Sequence, residues 1–333
     1  KDYAEVMAFS AGTFPEPLAF SLRAWDHLRH RKDDFDIVHD NQSLGYGLLA
    51  IDAMGLPVIA TIHHPITVDR RLEIEHATSL YKKLTLRRWY AFTDMQTRVA
   101  SRLPRVITVS ENSWNDIHRD HKVPLDRMHV VPVGVDPALF KPLPAVARKP
   151  GMLITTASAD VAMKGLRYLL EALAKLRVER PELSLTVIGR PKEGGQSAQT
   201  IEDLGLAEHV HFVSGVSDER IVELYAESEL AVVPSLYEGF SLPAIEAMAC
   251  GVPLVATTGG AVPEVVGPDG ETAFLVPPGD SEALAAKIAM VLDHSELRTK
   301  VGLAGRQRVI EQWSWRHTAE KTVEQYRARL EMK

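Results

Sequence analysis

A chain of 333 residues, 45% hydrophobic and 25% charged, has room for two ordinary domains and excludes a disordered or fibrous protein. A mean hydropathy of -0.08, with no apolar run near twenty residues, excludes a transmembrane helix, and no signal-peptide pattern opens the sequence. The formal net charge of -6 gives no general reason to expect nucleic acid, and Cys250 alone can form neither an intrachain disulfide nor a cysteine metal site. These features predict a cytoplasmic, metal-poor protein.

In chain order, the first half reads as strands at Ala4–Phe9, Asp36–His39, Pro57–Ile62, Arg105–Val109 and Met128–Val131. Helices are expected at Pro17–His30, Leu44–Met54 and Glu111–His118, with a long helical region over roughly Arg71–Arg102. A doubly wound domain normally opens with a buried strand, a glycine-rich turn and a helix, and Lys1 is followed by no such unit. The first domain is therefore expected to be incomplete at its start, as a fragment or as one partner of another segment or subunit. Lys141–Gly151, with three prolines, reads as a linker.

The second half is more regular. Short apolar strands at Met152–Thr156, Ser184–Ile188, His209–Val213, Leu230–Pro234, Val252–Ala256 and Thr272–Val276 alternate with helices at Leu166–Val178, Ala198–Leu204, Asp218–Glu227 and Leu242–Cys250, and with a short turn at Pro263–Val266. Apolar strands separated by helices predict a parallel sheet covered on both faces. Three amphipathic helices, Glu282–Leu292, Glu296–Glu311 and Trp315–Leu330, close the chain. The expected domains are 1–143, 144–312 and a terminal helix, 313–333, that crosses back to the first.

The segment from Pro234 to Gly260, PSLYEGFSLPAIEAMACGVPLVATTGG, is the most informative. It places Glu238 and the amides of Gly239, Phe240, Ser241 and Leu242 between a strand's carboxyl end and a helix's amino end. Ligands, anions above all, bind at such places in open α/β sheets. Ser241 stands where it would cap the helix. Glu246 has only apolar neighbours from Ala244 to Cys250, so its carboxylate needs donors, either ligand hydroxyls or a nearby Arg or Lys. Lys164 and Gly165 precede another helix, where a cation opposes the macrodipole and a bound anion would relieve the conflict; the alternative is a solvated lysine. Gly189 ends a further strand, and Gly259–Gly260 would allow close backbone approach.

With these residues in view, the chain resembles the retaining glycosyltransferases of family four, which have the GT-B fold of two Rossmann-like, doubly wound α/β domains facing a cleft. The likeness runs from about Phe35 to the last helix. It is carried by the Glu-x7-Glu segment EGFSLPAIE, EAMACGVPLVAT, PEVVG, DGETAFLVPPGD, VVPVGVDPALFKP, VITVSENSW and VIATIHHP. The resemblance implies that Glu238 meets the donor sugar, that the amides of Gly239 to Leu242 hold sugar and diphosphate, that Glu246 binds the ribose and that Lys164 binds the diphosphate. It also implies that His63, which residue types alone do not separate from His64, sits near the transferring sugar. The donor would be a UDP-, GDP- or ADP-sugar, the acceptor a hydroxyl of a sugar, polyol or lipid-linked compound, and no metal would be needed. Charge developing on the β-phosphate would be met by Lys164 and helix-end amides.

The chain departs from the family pattern in three places. Ser158 and Ala159 stand where an Arg is usual, so Arg190 is the expected substitute; Val133 replaces an Asn; and the opening unit is missing. A sugar-nucleotide-binding protein with weak or no transferase activity is the main alternative, and a GT-B epimerase or phosphorylase is a third. Gly45-Tyr-Gly-Leu-Leu-Ala50 formally fits a dinucleotide fingerprint, yet the strand after it ends in His63–His64 rather than in an acid. Asp34-Phe-Asp36 reads as a solvated turn. Tyr81–Arg105 sets seven cations against Asp94 alone, interleaved with Trp89, Tyr90 and Phe92. It suits either anionic lipid at the membrane face or plain solvation.

Overall fold

The computed structural model describes residues 5, 7, 9–77, 79–157, 161–192 and 194–332. The chain divides into two compact units, Lys1–Pro132 with Ala319–Lys333, and Val133–Thr318. Each is built around its own parallel sheet.

The sheet of the first unit runs in the order β1 (Val38–Asn41), β2 (Val58–Ile62), β3 (Val106–Thr108) and β4 (Met128–Val130), with every neighbouring pair parallel. Strands β2 and β3 are almost wholly buried, as continuous apolar runs in a covered parallel sheet must be. Helices α1 (Glu16–Leu28), α2 (Gly47–Ala53), α3 (Ile66–His76), α4 (Leu80–Trp89), α5 (Phe92–Ala100) and α6 (Glu111–His121) accompany them. The long helical region expected over 71–102 is thus three helices, and Ser79 caps the second by accepting from the Lys82 amide at 3.2 Å.

The opening strand expected at Ala4–Phe9 is not one. Glu5, Met7, Phe9 and Ser10 are helical, while Ala4, Val6 and Ala8 lie outside the described residues. Phe9 packs on Phe14 and Trp89, and Glu5 pairs with Arg23 at 2.6 Å, so distant contacts override the local apolar run. Gly45 and Gly47 have a packing reason of their own: a Cβ at either would lie 2.1 Å or less from Ser21 of α1. The fingerprint-like glycines therefore permit two helices to touch.

The second unit holds a six-stranded parallel sheet of β5 (Met152–Thr156), β6 (Ser184–Ile188), β7 (Val210–Val213), β8 (Leu230–Val233), β9 (Leu254–Thr257) and β10 (Phe274–Val276), in the order β10-β9-β8-β5-β6-β7. The chain winds outward from β5 to β7, then returns to the other side of β5 and winds outward through β10. The reversal leaves a topological switch point between β5 and β8. Helix α7 (Leu166–Leu176) buries Leu166, Leu169, Leu170, Leu173 and Leu176 at helical spacing. The others are α8 (Gln196–Asp203), α9 (Asp218–Glu227), α10 (Leu242–Ala249), α11 (Val262–Val266), α12 (Ser281–Asp293) and α13 (Ser295–Gln312).

The last helix, α14 (Trp315–Glu331), is anchored in the first unit through its second half. Buried Arg329 donates to the Val58 carbonyl at 3.0 Å and pairs with Asp52, Tyr326 hydroxyl contacts His39 Nδ1 at 2.6 Å, and Gln325 accepts from Arg105.

Candidate active site

In the second unit the loops after β5 and β8 meet at the switch point. The chain leaves β5, forms a single 3-10 turn over Ala162–Lys164, and enters α7 through Gly165 at φ 66°. A Cβ on Gly165 would stand 1.9 Å from the Pro234 carbonyl oxygen, so only glycine lets the two loops come this close. The Leu236 amide donates to the Met163 carbonyl at 2.8 Å and ties them together.

That contact brings Lys164 onto Glu238. The ammonium donates to both carboxylate oxygens, at 2.9 and 3.1 Å, and Ser235 Oγ donates to the nearer one at 2.7 Å. The Glu238 side chain is 9% exposed and that of Lys164 27%, so the lysine is no freely solvated cation. A third loop locks in behind: Thr257 hydroxyl donates to the Ser235 carbonyl, and the Ala261 amide donates to the Glu238 carbonyl at 2.9 Å. Gly259 and Gly260 lie against the backbones of Leu236 and Glu238, where a Cβ would come within 2.6 and 2.3 Å.

Between Glu238 and α10 lie Gly239, Phe240 and Ser241. Phe240 is buried edge-on against Trp313, with ring centroids 5.4 Å apart. Ser241 does not cap the helix as its type and position predict. Its φ of 92° turns the side chain away from the helix amides, and its buried hydroxyl has no partner among the described residues. A non-glycine residue in that conformation is strained and recurs at functional sites.

Glu246, one turn into α10, is also without an ion pair or hydrogen bond among the described residues, so the helix-glutamate-with-arginine alternative is not realised. Burial, and then the nearby charge of Asp218, push its carboxyl up to about 7. Buried Tyr225 stands beside it, donating to the Pro243 carbonyl at 3.4 Å. Gly189 follows β6 and donates to the Val213 carbonyl at 2.8 Å; Arg190 next to it is exposed and makes no ion pair among the described residues. Ser158 and Ala159 lie outside the described residues. No group of three or more His, Cys, Asp or Glu among the described residues is arranged to hold a metal ion.

Lys164, Gly165, Glu238, Gly239, Phe240, Ser241, Leu242 and Glu246 thus belong to two adjoining loops and the helix after them, with Gly189 and Arg190 at the next strand end. His63 belongs to the first unit, after β2. Its Nε2–H donates to Asn41 Oδ1 at 2.8 Å, while His64 Nε2 faces Asp69 at 2.7 Å. Burial, reinforced by the charges of His64 and His39, lowers the pKa of His63, which keeps its ring neutral.

Sequence reasoning missed Ser235, which fixes Glu238, and Asn41 and Gln42, which hold His63. For Ser235 the available signal was a hydroxyl two residues past the apolar strand β8; Asn41 and Gln42 carried none.

The family profile "Glycosyl transferases group 1" fits residues 145–308, and "Glycosyltransferase Family 4" fits residues 3–139. Over 325 residues the chain is 48% identical to the MMP alpha-(1->4)-mannosyltransferase of Mycolicibacterium hassiacum, covering 98% of this chain and 78% of that one. The chain belongs to the family 4 glycosyltransferases. This glycosyltransferase is also 27% identical to the D-inositol 3-phosphate glycosyltransferase of Streptomyces scabiei, over 98% of its own length and 73% of the relative's. Among solved structures, sucrose-phosphate synthase from Thermosynechococcus elongatus superposes with a TM-score of 0.80 at 24% identity, covering 95% of this chain and 79% of that one. The two parallel-sheet domains of the glycosyltransferase are those of the GT-B fold.

Proposed function

We propose that this glycosyltransferase moves a mannosyl group from a nucleoside diphosphate to a hydroxyl acceptor, with retention of anomeric configuration and without a metal ion. The observation that carries the proposal is the Lys164–Glu238 pair at the switch point, with Glu246 unpaired beyond it. The mannosyltransferase relative supports the choice of sugar.

In this reading the ribose hydroxyls donate to Glu246, whose half-buried carboxylate has no donor among the described residues. The diphosphate lies against Lys164 and the amides from Gly239 to Leu242, where the buried Ser241 hydroxyl gains its missing partner. Glu238, held by Lys164 and Ser235, faces the sugar. As the bond from C1 to the β-phosphate oxygen breaks, its electron pair leaves on the phosphate. Lys164 and the preset amides stabilise that charge without reorganising. The acceptor oxygen bonds to C1 on the face the phosphate leaves, and its proton passes to a phosphate oxygen. No separate protein base is needed. Arg190 is free to supply a second cation to the diphosphate.

Calorimetric titration with UDP, GDP and ADP tests the reading. Tight binding of one of them, weakened in Glu246→Ala, is expected; binding of none, or binding indifferent to the substitution, counts against it.

A second proposal concerns α4, where Leu80 and Tyr81 are 82% and 81% exposed beside Lys82, Arg87 and Arg88. An apolar edge flanked by cations suits peripheral contact with anionic lipid. Failure to sediment with anionic vesicles at low salt would exclude it.

A further inference from the structure

The turn that follows β1 is held in a costly shape. Gln42 and Leu44 both adopt left-handed backbone, at φ 64° and 49°, where glycine or asparagine is the usual choice. Leu44 is fully buried, and the turn around it is closed by the Asp40 carboxylate, which accepts from the Ser43 hydroxyl and from the Leu44 amide at 3.1 Å. Buried Gln96 adds a second clamp, its Nε2 donating to the carbonyls of Gln42 and Ser43 at 3.3 Å each. The turn is therefore fixed without any help from the side chain of Gln42.

That side chain reaches the end of β2 instead. Its Oε1 accepts from the backbone N–H of His63 at 2.6 Å, and its Nε2 donates to the carbonyl of His64 at 2.9 Å. The amide thus holds the backbone of both histidines at a point where β1 and β2 no longer pair. Its neighbour Asn41 takes the His63 Nε2–H, which leaves Nδ1 as the unprotonated nitrogen. We infer that Gln42 is a positioning residue for His63, fixing the peptide from which the ring projects, with Asn41 setting its tautomer. The left-handed backbone at 42 is what aims the amide across the gap between the two strands, and strain of this kind is retained where surrounding contacts over-determine it. The inference rests on the reading that His63 stands near the transferring sugar.

The informative variant is Gln42→Gly in the full chain, because it removes the amide while relieving the backbone. A merely structural Gln42 predicts a lower melting temperature and an unchanged His63. A positioning role predicts a fold at least as stable, with the His63 ring 15N signals moving away from the Nε2–H pattern. Those signals are assigned by their loss in His63→Ala. In turnover of the mannosyl donor whose nucleoside diphosphate binds in the titration above, Gln42→Gly is expected to lower kcat by about tenfold to a hundredfold with KM nearly unchanged. It should add nothing further in a His63→Ala background. Unchanged ring signals overturn the inference. If His63→Ala leaves turnover intact, the placing of His63 at the sugar fails instead, and the ring signals alone decide whether Gln42 holds it. If His63→Ala abolishes turnover while Gln42→Gly preserves it, Gln42 is not a positioning residue and the reading of His63 stands.

Discussion

Lys164 and Glu238 lie 74 residues apart in sequence, yet the ammonium of one sits within 3.1 Å of both carboxylate oxygens of the other. The pair spans the switch point between β5 and β8, the one place in this sheet where neighbouring strand ends send their loops in opposite directions. Each charge holds the other in position before any substrate arrives. Catalytic groups that stabilise developing charge work best when so preset.

Replacing Lys164 by Ala should lower kcat/KM by about 100- to 1000-fold, the range found when one preorganised donor to a developing anion is lost. Ser235→Ala, which leaves the pair but removes the second donor to one Glu238 oxygen, should cost about tenfold or less. Steady-state kinetics of the two variants provide the comparison. A Lys164 variant as active as Ser235→Ala would remove the lysine from the charge-stabilising role.

Glu246 should release a proton when donor binds near pH 7. Its carboxyl is raised to about 7 in the free protein, and hydroxyls donating to it favour the ionised form. Calorimetry in two buffers of different ionisation enthalpy reads the release directly. Glu246→Gln should abolish it and weaken nucleoside diphosphate binding by about tenfold to a hundredfold, as expected for lost hydrogen bonds to a charged group.

The two units should respond to pH in opposite directions. In the first, burial lowers His121 to about 4, so its contribution is present above pH 6.5 and is lost as pH falls through about 4. In the second, Glu246 is raised from 4.5 to about 7, so its contribution is present below pH 4.5 and is lost as pH rises through about 7. Each amounts to about 3 kcal/mol at its limit. Scanning calorimetry from pH 4.5 to 8 should show one transition rising and another falling. His121→Asn should flatten the first trend and Glu246→Gln the second; parallel trends in the wild type would refute the assignment.

Gly165→Ala should destabilise the second unit by about 2 kcal/mol or more, since it meets both a left-handed backbone and the Pro234 carbonyl. Gly205→Ala, at a similar φ of 64° but in open space, should cost about 1 kcal/mol. Urea melts of the two variants separate backbone strain from loop contact. Equal losses would mean that the loops can move apart freely.

Much of this architecture was legible from the chain. Met152–Thr156, Ser184–Ile188 and Asp218–Glu227 have the same limits in the structure as in the sequence, because a buried strand is a continuous apolar run and a helix against a sheet keeps its own apolar period. The site was legible as two loops but not as a pair: Lys164 on Glu238 is a contact between distant segments, which no local periodicity encodes. Ser241 was misread because residue type announces a cap while only the backbone, at φ 92°, decides whether the hydroxyl faces the helix. The short apolar run that ends at Phe9 reads as a strand, and a remote aromatic cluster with Trp89 outweighs it. Gln42 left no signal because a polar loop residue has no pattern until its partner is known.

The anchoring of Arg329 on Asp52 and Val58 has a consequence for how the molecule is strung together. Because the chain returns to the first unit after residue 318, the second unit, Val133–Thr318, is an uninterrupted segment set inside a discontinuous one. The second unit can be cut out as a single stretch of gene. The first cannot; it would have to be rejoined across the gap, or reconstituted from two pieces with α14 supplied separately. A single backbone cleavage at the first crossing, between residues 132 and 133, leaves the units joined through the other crossing. Only a pair of cuts, one at each junction, can set them free.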